Sequence, residues 1–298
     1  MNQQRPLKAV VLAAGCRSIT EDGLPVLLQE LGGKKIINYI MENVAQVAAP
    51  EDTYVVVSYC ADAIRNHLGP GYHYVTQESP RGTGDAVLAV REHLGDFNGD
   101  LLILYGDTPL FSPTSIRGLI NRHRLRGAEL TLLTAVANRP YPYGRVIRDS
   151  AGRIIDMIEE AQASTRIKDI RELNVGAYVV SAREIWPALE TLTPSPLDGE
   201  LRLTDLAHRL ITRGHYVESY QIYDQDEIQG INTRDDLERA EFILQKRYFR
   251  PRIEEERNII QFGTGGWRAV IGEGFTLHNV RRLCQALAND ITRRGLEQ

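Results

Sequence analysis

The sequence is short of several things. Of its 298 residues only three are cysteines, Cys16, Cys60 and Cys284, far apart and odd in number, with no CxxC pair. Neither a disulfide framework nor a zinc site follows from that spacing. The histidines are few and scattered. No apolar run approaches the roughly 20 residues of a membrane span. The N-terminal run 9–16 is short and follows a weakly basic start, so it reads as a buried strand and not as a signal peptide. Positive charge is not in excess. The formal net charge is -4, which implies no general affinity for nucleic acid or for an anionic membrane. Any phosphate site has to be built locally, and the expected location is cytoplasmic.

What is present is ordinary for a globular chain: 43% hydrophobic and 25% charged residues. The length allows one large domain or two ordinary ones. Residues 8–13, 53–58, 72–76, 101–105 and 130–137 read as strands. Residues 35–48, 83–94 and 112–126 have helical periodicity. This alternation predicts a parallel sheet covered by helices on both faces. From residue 141 the pattern changes. YGRVIRDSAGRIIDMIEE reads as two strands joined at 149–152, and NVGAYVVS as another strand, with Ser181 as N-cap of the helix after it. A helix at 203–213, a strand at 216–222 and a long helix capped by Thr233 follow. This half adds a mixed lobe suited to a substrate. EEERN, residues 254–258, reads as a charged hinge before a final helix at about 277–294.

Open parallel sheets bind ligands beyond the carboxyl ends of their strands. Four stretches fall there: LAAG (12–15), QESPRGTGDA (77–86), LYGDTPL (104–110) and GIN (230–232). LAAG can offer backbone N–H groups to phosphate, or be a plain strand-to-loop turn. In RGTGDA, Gly82 and Gly84 permit close approach, while Thr83 and Gln77 offer hydrogen bonds suited to a pyrimidine edge. The plain alternative is an ordinary helix N-terminus. Asp107 stands just past an all-apolar strand. It is either an oxygen ligand for a hard cation such as Mg²⁺, with Asn232 as a second, or a turn-forming Asp before Thr-Pro.

Taken in order, these motifs resemble the sugar-phosphate nucleotidyltransferases. The resemblance runs from about residue 7 to 247. It is greatest to the pyrophosphorylase domain of the bacterial bifunctional N-acetylglucosamine-1-phosphate uridyltransferases. It includes LAAG, Q-x₄-GTGDA, LYGDTPL, YGR, ELNVGAYV, GELRLTD and GIN. It implies an α/β, Rossmann-like nucleotidyltransferase fold with a mixed-sheet substrate lobe and a short C-terminal extension. It implies that Ala13, Ala14, Gly15, Gln77, Gly82 and Thr83 hold the uridine nucleotide. Gly144, Glu159 and Asn174 would hold the sugar, and Asp107 and Asn232 would hold Mg²⁺. The implied partners are a nucleoside triphosphate and a sugar 1-phosphate. The implied products are a UDP-sugar such as UDP-N-acetylglucosamine and pyrophosphate. A cytidylyl- or guanylyltransferase of the same superfamily fits Q-x₄-GTGDA and ELNVGAYV less well.

The family's loop after LAAG continues with an arginine and then a lysine that neutralise phosphate. Aligned without a gap, those positions are Ile19 and Val26. Both cations are missing, Glu21 and Asp22 add negative charge, and Arg17 is the one nearby substitute. A catalytically impaired nucleotide-sugar-binding or regulatory domain is therefore the competing expectation. The segment 259–288, with its FGTGGWR, resembles the N-terminus of the phosphohexomutases. The expected organisation is a nucleotidyltransferase domain over 1–250, then a linker and an incomplete phosphohexomutase segment over 251–298, as in a fusion.

Overall fold

The computed structural model describes residues 5–15, 18–19, 23–79, 81–248, 262–263, 266–267 and 277–294. The chain divides into two compact units, Met1–Leu237 and Glu238–Gln298.

The first unit is built on a nine-stranded sheet. Its strands are β1 (Leu7–Leu12), β2 (Thr53–Val57), β3 (His73–Thr76), β4 (Asp100–Tyr105), β5 (Leu130–Val136), β6 (Arg145–Arg148), β7 (Ile154–Ile158), β8 (Glu172–Ser181) and β9 (Val217–Ile222). The main path runs β9-β5-β8-β4-β1-β2-β3, and β6 joins β8 while pairing with β7. Strands β1, β2, β3 and β4 pair in parallel, as do β5 and β9. Strand β8 is antiparallel to both β4 and β5. Along its main path the sheet is therefore mainly parallel, with β8 running antiparallel, a direction that the apolar pattern of NVGAYVVS does not announce.

Residues Leu101–Leu104 carry no polar alternation because both faces of β4 are covered. Leu101 and Ile103 join a core with Val10, Tyr178, Ala86 and Val87 of helix α1 (Thr83–Ala89), Ile185 of α2 (Ala182–Leu189) and Leu206 of α3 (Leu203–Thr212). The alternate residues Ala9, Val11, Leu102 and Leu104 are buried as well, as the two-residue period requires. By contrast, β3 buries only Val75, the pattern of an edge strand.

Two local expectations change. A helix over Ala61–Leu68 is present that the periodicity did not show; it buries only Ile64. Ser181 makes no side-chain cap; its hydroxyl instead accepts from Arg5 Nη1 at 3.1 Å. Thr233 does cap its helix, with Asp236 N–H donating to the Thr233 hydroxyl at 3.2 Å.

The second unit contains, among its described residues, most of the helix Arg234–Tyr248, a short hairpin pairing Phe262–Gly263 with Gly266–Trp267, and the amphipathic helix Leu277–Arg293. Arg268, the arginine that closes FGTGGWR, lies outside the described residues.

Candidate active site

The chain passes from β1 to β2 and β3 on one side, and β4 returns on the other side of β1. That reversal opens a crevice at the carboxyl ends of β1 and β4. A cavity of about 440 Å³ lies there. Leu12 and Tyr105, the last residues of the two strands, form part of its wall, together with Ala14, Gly15, Gln77, Gly82, Thr83, Asp107 and Asn232. Seven of the eight residues expected to hold nucleotide and metal thus line one cavity, Gln77 and Gly82 coming from the β3–α1 loop. Ala13 is fully buried behind it, its N–H donating to the Val56 carbonyl at 2.8 Å. Arg17 lies outside the described residues.

The loop before α1 is fixed by backbone contacts. Gly82 has φ +105°, and a Cβ there would stand 2.6 Å from the Leu201 carbonyl, so only glycine fits. Gly84 N–H donates to that carbonyl at 2.8 Å, and the Thr83 hydroxyl accepts from Leu203 N–H at 2.9 Å. The GELRLTD stretch therefore straps the GTGDA turn.

Asp107 and Asn232 are brought together by a backbone bond, Ile231 N–H to the Asp107 carbonyl at 2.9 Å. Burial pushes the Asp107 carboxyl up to about 6, with Asp236 adding to the rise. No His/Cys/Asp/Glu cluster of three is present among the described residues. One carboxylate and one amide oxygen at a phosphate-sized cavity still suit Mg²⁺, which keeps several waters and takes one or two protein ligands.

Gly144, Glu159 and Asn174 form a second cluster that does not line this cavity. Asn174 N–H donates to the Gly144 carbonyl at 2.8 Å, and a Cβ on Gly144 would lie 3.7 Å from Glu159 Oε2. The Thr204 hydroxyl donates to Glu159 Oε1 at 2.6 Å. Asn174 Nδ2 donates to the Tyr178 hydroxyl at 2.6 Å, leaving its buried Oδ1 with no hydrogen-bond partner among the described residues. The Tyr178 and Tyr105 hydroxyls are 3.4 Å apart. Tyr105 thus joins the two clusters. Burial pushes its phenol up to about 12, against hydrogen bonds from Tyr178 and Thr83, with Glu159 and Asp107 raising it further.

Among the described residues, no cation stands at the cavity wall where the clamp is expected. Val26 is 7% exposed and lines the cavity. Among the described residues lining it there is no lysine or arginine, whereas Asp107 and Glu200 are both acidic. Ile19 is half-buried and lies outside the lining. Lys34 pairs with Glu42 at 2.6 Å. Tyr59, 83% exposed, stands at the cavity rim. Cys60, its neighbour, is disulfide-bonded, a bond that the cysteine spacing does not suggest. Cys284 is a free thiol.

The model of the MobA-like NTP transferase domain matches residues 9–203, which contain the strap, the GTGDA turn and Asp107. The chain belongs to this family. It is also 34% identical over 239 residues to the bifunctional protein GlmU of Streptococcus equi subsp. zooepidemicus, covering 80% of this chain and 52% of that one. The chain spans about half the length of the curated relatives it matches. Among solved structures, a UDP-glucose pyrophosphorylase complexed with UDP-glucose aligns with TM-score 0.65 at 14% identity, over 80% of this chain and 98% of that one. An inositol-1-phosphate CTP transferase from T. maritima aligns with TM-score 0.63 at 17% identity, over 82% and 96%. These two likenesses show the Rossmann-like nucleotidyltransferase fold. No helix among the described residues is long and apolar enough to cross a membrane.

Several residues of the site were not singled out in the sequence. Tyr105 lay inside LYGDTPL, Asp85 inside GTGDA and Thr204 inside GELRLTD. Tyr105 and Thr204 act through partners far away in the chain, and Asp85 through a side-chain contact with Gln77 eight residues before it, none of which local pattern displays.

Proposed function

We propose that the protein transfers UMP from UTP to a sugar 1-phosphate, most directly N-acetylglucosamine 1-phosphate, releasing pyrophosphate. The observation that carries this reading is the gathering of Gln77, Thr83, Asp107 and Asn232 around one cavity at the switch point. Gln77, Gly82 and Thr83 hold the uridine. Gly144, Glu159 and Asn174 hold the sugar and its acetamido group, the orphan Asn174 oxygen offering an acceptor. An oxygen of the sugar phosphate attacks the α-phosphorus in line. The new P–O bond forms as the bond to pyrophosphate breaks, and the leaving group keeps the electron pair. Catalysis here is positioning and charge neutralisation. Asp107 and Asn232 would hold Mg²⁺, which when bound supplies positive charge to the triphosphate. The similarity to GlmU over its matched half supports this choice of substrates. In the same reading, residues 1–250 are the transferase domain, and 251–298 are a linker and the start of a phosphohexomutase-like segment.

One observation favours a second reading. Val26 occupies the cavity wall where a cation is expected, beside two acids. A domain that binds a nucleotide sugar and turns over little would have this wall. Calorimetric titration with UTP and with UDP-N-acetylglucosamine, each with Mg²⁺, tests both readings. Binding of both ligands is expected, and binding of neither would remove both readings.

A further inference from the structure

An amide side chain can be seated either way round, and the seat decides whether it offers a ligand a donor or an acceptor. Gln77 lines the cavity, yet its nitrogen is used inside the protein. Gln77 Nε2 donates to Asp85 Oδ2 at 2.7 Å and to the Gly82 carbonyl at 3.2 Å. A carboxylate and a carbonyl both accept, so the reversed seat would set Gln77 Oε1 against two acceptors. Asp85 is buried, and its other oxygen is gripped by Arg81 Nη2 at 2.7 Å. The backbone of Gln77 is fixed too, its N–H donating to the Val57 carbonyl at 2.7 Å. The end of Gln77 left for a ligand is therefore its carbonyl oxygen.

We infer that Asp85 is a positioning residue for nucleobase choice: it locks Gln77 so that the cavity presents an acceptor. An acceptor in that place selects a pyrimidine with a ring N3–H, uracil or thymine. In the same seat cytosine turns the lone pair of its N3 toward Gln77 Oε1, and two buried acceptors face each other. Leaving a buried polar group unpaired costs about 1–3 kcal/mol, or roughly tenfold to a hundredfold in binding. Only Gln77 meets the base; Asp85 acts through it. The inference rests on the nucleotide reading of the cavity.

The test is equilibrium binding of UTP and CTP, each with Mg²⁺, to wild type and Asp85→Asn. Wild type is expected to prefer UTP by about tenfold or more. In Asp85→Asn the new amide can serve Gln77 either way round, and the preference falls by about tenfold, while the melting transition seen by circular dichroism is kept. A second measurement needs no variant: 3-methyluridine triphosphate, whose N3–H is replaced, binds wild type about tenfold more weakly than UTP. If Asp85→Asn does not fold, that comparison decides. A wild-type preference for CTP, an unchanged preference in folded Asp85→Asn, or undiminished binding of the methylated nucleotide overturns the inference and leaves nucleotide binding standing. No binding of any nucleotide to wild type overturns the reading of the cavity and the inference with it.

Discussion

The backbone N–H of Gly230 donates to the Tyr143 hydroxyl at 2.9 Å. That hydroxyl in turn donates to the Ile228 carbonyl at 2.8 Å. Tyr143 precedes Gly144 of the proposed sugar cluster, and Gly230 opens the GIN stretch that carries Asn232. One phenol therefore ties the loop of the proposed sugar cluster to the loop of the candidate metal pair. Tyr141 stacks on its ring at 5.4 Å between centroids.

From this tie, Tyr143→Phe is expected to loosen Asn232 without removing a ligand. Groups that orient metal ligands typically matter by about 10–100-fold in affinity. Mn²⁺ binding followed by electron paramagnetic resonance should weaken about tenfold in Tyr143→Phe, while the melting temperature moves little. Unchanged Mn²⁺ affinity would show that the tie is only structural.

Thr204 donates to Glu159 at 2.6 Å and is buried. Thr204→Val keeps the shape and removes the donor. Hydrogen bonds to charged groups contribute about 1.5–3 kcal/mol. The KM for the sugar 1-phosphate should rise about tenfold, with the KM for UTP unchanged. Steady-state kinetics varying each substrate separates the two, and an equal rise in both KM values would count against the assignment.

Val26→Lys returns a cation to the cavity wall. A preorganised charge on a transferring phosphoryl group is typically worth on the order of 10²–10³ in rate. Pyrophosphate release should speed up by at least about tenfold. A rate that does not change would mean that the chain neutralises the triphosphate by another route.

At the opposite end of β4, Asp100 is fully buried, with Arg124 Nε donating to it at 3.0 Å and His123 Nε2 standing 3.7 Å away. Burial alone would raise its carboxyl, but the contacts with His123 and Arg124 outweigh it and hold the group below the usual range. In the unfolded chain it titrates near the ordinary value of about 3.9. Its stabilising contribution is therefore present above about pH 4 and is lost as pH falls through the folded-state value. Asp100→Asn should lower stability at pH 7 by about 1.5–3 kcal/mol. Urea unfolding at neutral and acid pH should show the gap to wild type narrowing below about pH 4.

The fold was legible where pattern and environment agree. The run 101–105 is all apolar because both of its faces are covered, and β3 buries only Val75 because it is an edge. The direction of β8 was not legible, since apolar residues serve parallel and antiparallel neighbours alike. The helix Ala61–Leu68 was missed because a single buried residue leaves no period to read. The Ser181 cap failed because Arg5, distant in sequence, takes its hydroxyl. In the site, Gln77, Thr83, Asp107 and Asn232 could be named from their places after strands. The locking of Gln77 by Asp85 and the tie made by Tyr143 depend on which atom faces which, and only the folded chain displays that.

We propose that this cavity joins a nucleotide to a sugar phosphate despite its apolar wall at Val26. The most direct test is pyrophosphate release from UTP by the wild-type chain with Mg²⁺, with and without N-acetylglucosamine 1-phosphate. Release is expected to depend on the sugar phosphate and to be matched by formation of UDP-N-acetylglucosamine. Binding of UTP and of the nucleotide sugar with no release would contradict the proposal and leave a binding domain in its place.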